Sequence, residues 1–490
     1  MAPIEHLFVL MLENRSFDHM LGSSGIPGIN IPPAGTSNSW NGTSYPVGTS
    51  PVDPMKVDPK HEFPDVVEQL YGHGQKYPHS GPYPRISNSG FAANFGTLAG
   101  STSPGDVMQE FTPDRLPVLN ALAREFAVCD AWHCSLPGPT WPNRFFALGG
   151  SSAQLDHSPT TEETALWESV DGFKYQNGSV FQVSGLNWKI YAGNQLFTLA
   201  HALQGIHIWS VTPFTDFAKD VANPQYPAQF TWIEPNYGRV TTDYVGGNSQ
   251  HPLDGITGGE AFIKATYDAL RNSPIWSSSM LVIIWDEHGG FFDHAAAPAA
   301  TSPGDSAQFA GANQNGFPFN LYGPRVPAVV VSPLIPPGTV SHTVYDHTSP
   351  LATLERLFGL SPLTARDARA ADLLGLASLP AERTVNPNLI SLSPAVAAAH
   401  SQIALDSLDM PVIPASRPND PIEVDRNLPG FIYLATKTDK ELPAPAGVAA
   451  IEHVTSVRER VKRIRTRGDA HDYFVEVRTK LAASRRKRTE

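Results

Sequence analysis

Two unbroken apolar runs constrain this chain more than any other feature of it. Residues 4–12 read IEHLFVLML and residues 279–285 read SMLVIIW. Each is short for a globular helix, and each is too continuous for a strand with one wet face. Such runs suit strands buried on both sides, the usual condition of parallel sheets whose helices cross over both faces. A third run, VPAVVVSPL at 326–334, has proline at its edges. Helical spacing lies between them. Leu116, Leu119, Leu122 and Phe126 share a helical period and lead into a short strand at 127–131. The stretch SPLATLERLFGL at 349–360 reads as a helix, with Ser349 as N-cap and Glu355 and Arg356 on its outer side. The alternation predicts an α/β fold with a largely parallel central sheet flanked by helices.

A length of 490 residues allows one large α/β domain with insertions, or two to three average domains. With 41% hydrophobic and 17% charged residues, the chain can bury a real core. Glycine (39) and proline (45) are abundant, and residues 23–60 and 72–113 read as long loops. From about 361 the character changes to Ala-rich and Pro-rich. MPVIPASRPNDPIEVDRNLPGF looks like a linker or wrapping arm, 456–483 like one or two basic helices, and the end is SRRKRTE. The expected division is a main domain over 1–400 and a C-terminal extension over 401–490. A formal charge of −12 argues against nucleic acid as a partner. The basic tail is compatible with peripheral membrane contact, although a solvated helix face and a frayed end explain it as well. No run approaches the ~18–20 apolar residues of a transmembrane helix. The N-terminus lacks a basic n-region and a cleavage site, so the expectation is a soluble protein, cytoplasmic as written and secreted if trimmed. Cys129 and Cys134 exclude a disulfide framework and a cysteine-rich zinc site. They are two small buried thiols or one short-loop bridge, and general cysteine behaviour favours the thiols.

The chemistry lies where the apolar runs stop. The first ends in Glu13-Asn14 and the second in Asp286-Glu287. Ligands bind beyond the carboxyl ends of strands in open parallel sheets. Acidic residues at one strand end are ordinarily solvated loop residues. Two such ends together supply hard oxygen ligands of the kind divalent cations use. A turn at 138–143, GPTWPN, leads into a helix and makes Thr140 the candidate nucleophile. A hydroxyl at a helix N-terminus sits beside unpaired backbone N–H groups that suit a phosphate. The plain alternative for Thr140 is an ordinary N-cap. Of the 17 histidines, His61, His251, His294 and His347 lie in polar loops, and the Asp-His pairs at 293–294 and 346–347 suit groups that orient ligands. His6, inside the first run, reads as a satisfied core residue.

These segments together resemble the phosphoesterase family that holds the bacterial and plant non-specific phospholipases C and related acid phosphatases. The segments that carry the resemblance are ENRSFDHMLG (13–22), CDAWHCSLPGPTWPNRFF (129–146), FTWIEPNYG (230–238), HPLDGITGGEAFIKATYDAL (251–270), IIWDEHGGFFDH (283–294), YGPRVPAVVVSPL (322–334) and YDHTSPLATLERLFGL (345–360). They occur in family order and span about residues 4–360. The resemblance implies an alkaline-phosphatase-like fold and a metal-dependent phosphoric ester hydrolase. Its substrates are phospholipids on the phospholipase C branch, or small phosphate monoesters on the acid phosphatase branch. It implies that Glu13, Asn14, Asp286 and Glu287 hold one divalent metal ion, with Thr140 as fifth ligand and nucleophile. Asn14 also touches a phosphate oxygen, and His61 and His251 contact the phosphoryl group or protonate the leaving group. One departure is Gln250, where the family often has a second histidine before the proline. Threonine at 140 is closer to the phospholipase C branch. A sulfatase-like hydrolase would need a modifiable Cys or Ser in place of Thr140. A catalytically silent binding protein would have little reason to keep every proposed ligand type. The segment 295–321 is expected to loop over the site.

Overall fold

The computed structural model describes residues 4–79, 83–101, 103–386, 389–403, 408, 411–422 and 426–489. The strands are β1 (His6–Leu12), β2 (Ser37–Trp40), β3 (Thr43–Pro46), β4 (Ala127–Cys129), β5 (Trp188–Ala192), β6 (Val211–Pro213), β7 (Phe230–Glu234), β8 (Ser279–Trp285), β9 (Ala328–Val331) and β10 (Thr339–Ser341). Eight form one sheet in the order β10-β4-β9-β8-β1-β7-β5-β6, while β2 and β3 make a separate hairpin. The two apolar runs are the central neighbours β1 and β8, paired parallel. From Leu7 to Leu12 every β1 residue is buried, as is the whole of β8.

The sheet is largely parallel, as the buried runs require. The exception is β9, which runs antiparallel to both β4 and β8. Its regular part is only four residues long because Pro327 and Pro333 bracket it and cannot donate to a ladder. The strand read at 127–131 closes at Cys129. Cys129 and Cys134 are both buried and unbridged. His6 meets the Ala228 carbonyl at 2.7 Å, a satisfied strand histidine. The helix Ser349–Phe358 forms where expected, but its N-cap is Thr348, so Ser349 is its first residue. The loop reading of 72–113 missed a short helix at Phe91–Gly96.

Three helices follow residue 427: Leu428–Glu441, Ala450–Val461 and Arg467–Thr489. Leu428, Phe431, Tyr473 and Leu481 join the same continuous core as β1 and β8. Gly430 is the point of closest approach: a Cβ there would overlap the Trp141 ring, next to Thr140. Met410 and residues 423–425 of the linker stretch, and Glu490 of the basic tail, lie outside the described residues. Among the described residues no helix is long and apolar enough to cross a membrane.

Candidate active site

Because Leu12 is in register with Trp285, Glu13-Asn14 and Asp286-Glu287 leave the sheet side by side at its carboxyl edge. Asn14 turns the chain with φ 57°, a left-handed conformation that asparagine tolerates better than most residues. Its backbone N–H donates to Asp286 Oδ1 at 3.0 Å, and Arg15 N–H donates to the Glu287 carbonyl at 3.0 Å. Gly289 lies so close to the Asn14 carbonyl that a Cβ would overlap it, so the two strand ends meet only over a glycine. The Asn14 side chain donates Nδ2 to Glu287 Oε1, with Thr140 Oγ 3.5 Å from the same nitrogen.

Thr140 is not an ordinary N-cap. It is the first residue of the helix Thr140–Gly149, the cap position is the extended Pro139, and no side chain caps the helix. Its hydroxyl therefore remains directed at Asn14. Pro142 is harmless in the first turn, where its missing N–H would have had no helical partner. Asn143 folds the preceding turn back on the helix. Its Oδ1 accepts from Leu136 N–H at 3.2 Å, and its Nδ2 donates to the Gly138 and Pro139 carbonyls at 2.9 and 3.1 Å. One residue on, buried Arg144 donates Nε to Asp286 Oδ2 and Nη2 to the Leu12 carbonyl, both at 2.9 Å. The helix that opens with Thr140 is thereby tied to both strand ends. His347 completes the support, with Nε2 at 2.6 Å from the Asp286 carbonyl and Nδ1 receiving Trp132 Nε1 at 3.3 Å. Burial holds His347 neutral, with its pKa lowered to about 4, consistent with one donating and one accepting nitrogen.

The electrostatics mark the site as well. Burial, opposed by His251 and Arg144, pushes the Glu13 carboxyl up to about 7. Burial works against charge on His61, but Glu287, Asp58 and Glu62 outweigh it and raise the ring to about 9. His251 is likewise raised: burial opposes its charge, and Asp58 and Glu13 favour it. Its Nε2 faces Asp58 Oδ2 at 3.5 Å. The Tyr244 ring stacks on the His251 imidazole, centroids 3.7 Å apart and planes within 9°. His61 turns Nδ1 to the Pro59 carbonyl at 2.7 Å. Asp58, His61 and Tyr244 line a cavity of about 830 Å³ together with Lys56, Arg426 and Arg467. The cavity and the buried cluster meet at His61, which lines the first and interacts with Glu287 of the second.

Thus Glu13, Asn14, Thr140, Asp286 and Glu287 come together at one sheet edge, and His61 and His251 share Asp58 beside them. The segment 295–321 contributes nothing to the cavity lining, contrary to expectation. Phe317, Phe319 and Leu321 draw it away onto Phe63 and Phe146, and Arg417, Asp420, Pro421, Arg426 and Asn427 take its place at the cavity. Gln250, the departure from the family pattern, accepts from Trp285 Nε1 and donates to the Ile256 carbonyl, both at 3.0 Å. Its side chain thus braces the end of β8. Sequence reasoning missed Asp58, Asn143, Arg144 and Tyr244. For Arg144 and Asn143 the signal available was their place in the first turns after Thr140.

A cation needs oxygens that the protein leaves unsatisfied. Glu13 Oε2 and Asn14 Oδ1 are buried and have no hydrogen-bond partner, so the donor set fits one. A second acidic group is different. Asp18, Asp293 and His294 bring one ligand atom each within 4.8 Å of one another. Arg325 already occupies that group, with Nη2 2.7 Å from Asp18 Oδ1 and Nε 2.9 Å from Asp293 Oδ1. It acts as a buried ion-pair lock between the turns after β1 and β8.

A family model described as the phosphoesterase family matches residues 4–361. Non-specific phospholipase C6 of Arabidopsis thaliana is 36% identical over 390 residues, 76% of this chain and 71% of its own length. Non-specific phospholipase C3 of the same plant is 32% identical over 412 residues, 79% and 76% of the two chains. Phospholipase C B of Mycobacterium tuberculosis is 30% identical over 422 residues, 76% and 77%. Among solved structures, a protein in the alkaline phosphatase superfamily from Vibrio parahaemolyticus overlaps 57% of this chain and 66% of its own, with 12% identity and a TM-score of 0.31. That superposition is too slight to carry an inference. The match at 4–361 runs from β1 to the end of the helix Ser349–Phe358 and takes in Glu13, Asn14, His61, Thr140, His251, Asp286 and Glu287, and the chain belongs to the phosphoesterase family.

Proposed function

We propose that this protein is a phosphoric ester hydrolase of the phospholipase C type, with Thr140 as nucleophile. The observation that carries the reading is the Thr140 hydroxyl, left uncapped at a helix start and 3.5 Å from Asn14 between the two carboxylate-bearing strand ends. The names of the relatives support phospholipid as substrate, and the chain aligns with them over most of its length. Glu13 and Asn14, with Asp286 and Glu287, would hold one divalent cation. When bound, it supplies positive charge that favours the Thr140 alkoxide and offsets charge on the phosphoryl oxygens.

The remaining work falls to the chain itself. Thr140 Oγ forms a bond to phosphorus as the bond from phosphorus to the glycerol oxygen breaks. The backbone N–H groups opening the helix and Asn14 Nδ2 donate to the phosphoryl oxygens. His251 or His61 gives the departing alkoxide its proton and yields diacylglycerol; Asp58 favours the charged ring of His251, and Glu287 with Asp58 that of His61. Water then displaces Thr140 from phosphorus and releases the phosphorylated head group. The proton Thr140 loses on attack recharges the spent imidazole, and the attacking water gives one proton to the departing Thr140 oxygen, so both groups return to their starting forms.

The test is a panel of a short-chain phosphatidylcholine, a phosphate monoester and a sulfate ester. Each is assayed with and without chelator, for the parent and for Thr140→Ala. Diester cleavage lost on chelation and in Thr140→Ala is expected. Activity that survives both would overturn the mechanism, and a preference for the monoester would place the protein on the phosphatase branch.

A further inference from the structure

The loop that carries Tyr244 is strained, and the C-terminal part of the chain holds it. Asp243 and Tyr244 are consecutive non-glycine residues in the left-handed region, with φ 55° and 63°. Such conformations persist only where the surroundings over-determine them. Tyr244 N–H meets the Arg239 carbonyl and Gly247 N–H the Tyr244 carbonyl, each at 3.2 Å, and the last quarter of the chain adds ties from outside the loop. Arg467, buried at the start of the helix Arg467–Thr489, donates Nη2 to the Val240 carbonyl at 2.7 Å and Nε to the Thr241 carbonyl at 3.0 Å. It also pairs with Asp243 Oδ1 at 3.1 Å, and Arg417 reaches the same oxygen at 2.9 Å. Ser416 N–H donates to the Thr241 carbonyl at 3.0 Å, His471 Nδ1 meets Thr241 Oγ1 at 2.9 Å, and Asn427 Nδ2 donates to the Tyr244 hydroxyl at 3.4 Å.

All of these outside partners lie beyond residue 361, where the family match ends. The bland account is that they merely dock the C-terminal helices. The apolar residues Phe431, Tyr473, Val477 and Leu481 already do that within the core. Burying a guanidinium is costly unless its hydrogen bonds are met, and Arg467 meets that cost by turning Nε and Nη2 onto residues 240–243. The strained pair they fix ends in a ring laid flat on His251.

We infer that the C-terminal segment positions the leaving-group histidine: Arg467, with Arg417, sets the 240–244 loop, and the loop sets the Tyr244 ring that orients the His251 imidazole. The inference rests on the proposed role of His251 as proton donor. Arg467 and Tyr244 are positioning residues, since neither gives a proton to the substrate.

Two diesters with the same head group separate positioning from general damage. A dialkanoyl phosphatidylcholine expels an alkoxide that needs a proton. p-Nitrophenyl phosphorylcholine expels a stable phenolate that does not. In Arg467→Gln and Tyr244→Leu, kcat should fall on the order of 10–100-fold for the lipid and less than about threefold for the phenyl ester, a loss within the range of general acid catalysis. Tyr244→Phe keeps the ring and should restore the lipid rate to within about threefold of the parent. Circular dichroism confirms folding, and Tyr244→Leu decides the matter if Arg467→Gln does not fold. Equal losses on both substrates, or no loss on either, overturn the inference. A parent protein inactive on both diesters would sink the phospholipase reading and this one with it, whereas loss of the selectivity alone sinks only this one.

Discussion

Arg144 is the side chain on which the buried site's charge balance depends most. It is 1% exposed and lies between Asp286, which it meets at 2.9 Å, and Glu13, which feels its charge. Replacing it with methionine keeps much of the volume and removes the cation. Leaving a buried carboxylate without its partner costs about 3–5 kcal/mol, and the hydrogen bond lost at the Leu12 carbonyl, which keeps only the Asp286 N–H at 3.2 Å, adds about 1 kcal/mol. In chelator, urea unfolding of Arg144→Met should therefore give an apparent stability lower by about 4–6 kcal/mol. Divalent cation should recover part of that loss, because a cation bound beside Glu13 and Asp286 replaces the missing positive charge. A ligand at a hundred times its Kd returns about 2.7 kcal/mol, and removing Arg144 also strengthens the site's attraction for the ion. The cation-induced gain in urea midpoint should thus be larger in the variant than in the parent. A variant within about 1 kcal/mol of the parent in chelator would show that Asp286 does not depend on this arginine. An equal cation response in the two proteins would remove the case for a cation beside Glu13.

Thr140→Val should fold with stability within about 1 kcal/mol of the parent, since the hydroxyl makes one long contact among the described residues, yet lose at least ~10⁴-fold in kcat. Thr140→Ser should retain turnover, which a stopped-flow diester assay would show. Asn143→Ala should cost about 2–4 kcal/mol in thermal unfolding and slow turnover as well, because the Leu136–Pro139 turn before Thr140 loses its buried bonds. His157, held between Asp156 at 2.9 Å and Glu163 at 3.0 Å, is raised from 6.5 to about 9, its two carboxylate partners overcoming burial. Its folded pKa exceeds its unfolded one, so it contributes about 3 kcal/mol below pH 6.5, lost as pH rises through about 9. His157→Gln should flatten that part of the stability–pH curve, and an unchanged slope would contradict the ion pairs.

What could be read from sequence and what could not divide along a physical line. β1 and β8 were legible because a strand buried on both faces writes its burial into consecutive residues. β5 was not: WKIYA carries Trp188 and Lys189 at half-buried positions and is too short to show a period. The direction of β9 was illegible for another reason, since antiparallel pairing with β4 and β8 is a property of neighbours and leaves no mark on AVVV itself. The same division runs through the site. Glu13, Asn14, Asp286 and Glu287 announce themselves as polar residues ending apolar runs, and Thr140 sits in a turn that proline and glycine punctuate. Arg144 and Tyr244 look ordinary in sequence. Each acquires its role from a partner far along the chain: Arg144 from Asp286, 142 residues on, and Tyr244 from a loop whose Thr241 is held by Arg467, 226 residues on. Residues that supply oxygens can be found one at a time, because their chemistry is intrinsic. Residues that balance charge or hold a ring in plane exist only as pairs. A site with three buried carboxylates and the cations that offset them is therefore half visible before folding, and the invisible half sets the pKa values on which the chemistry depends.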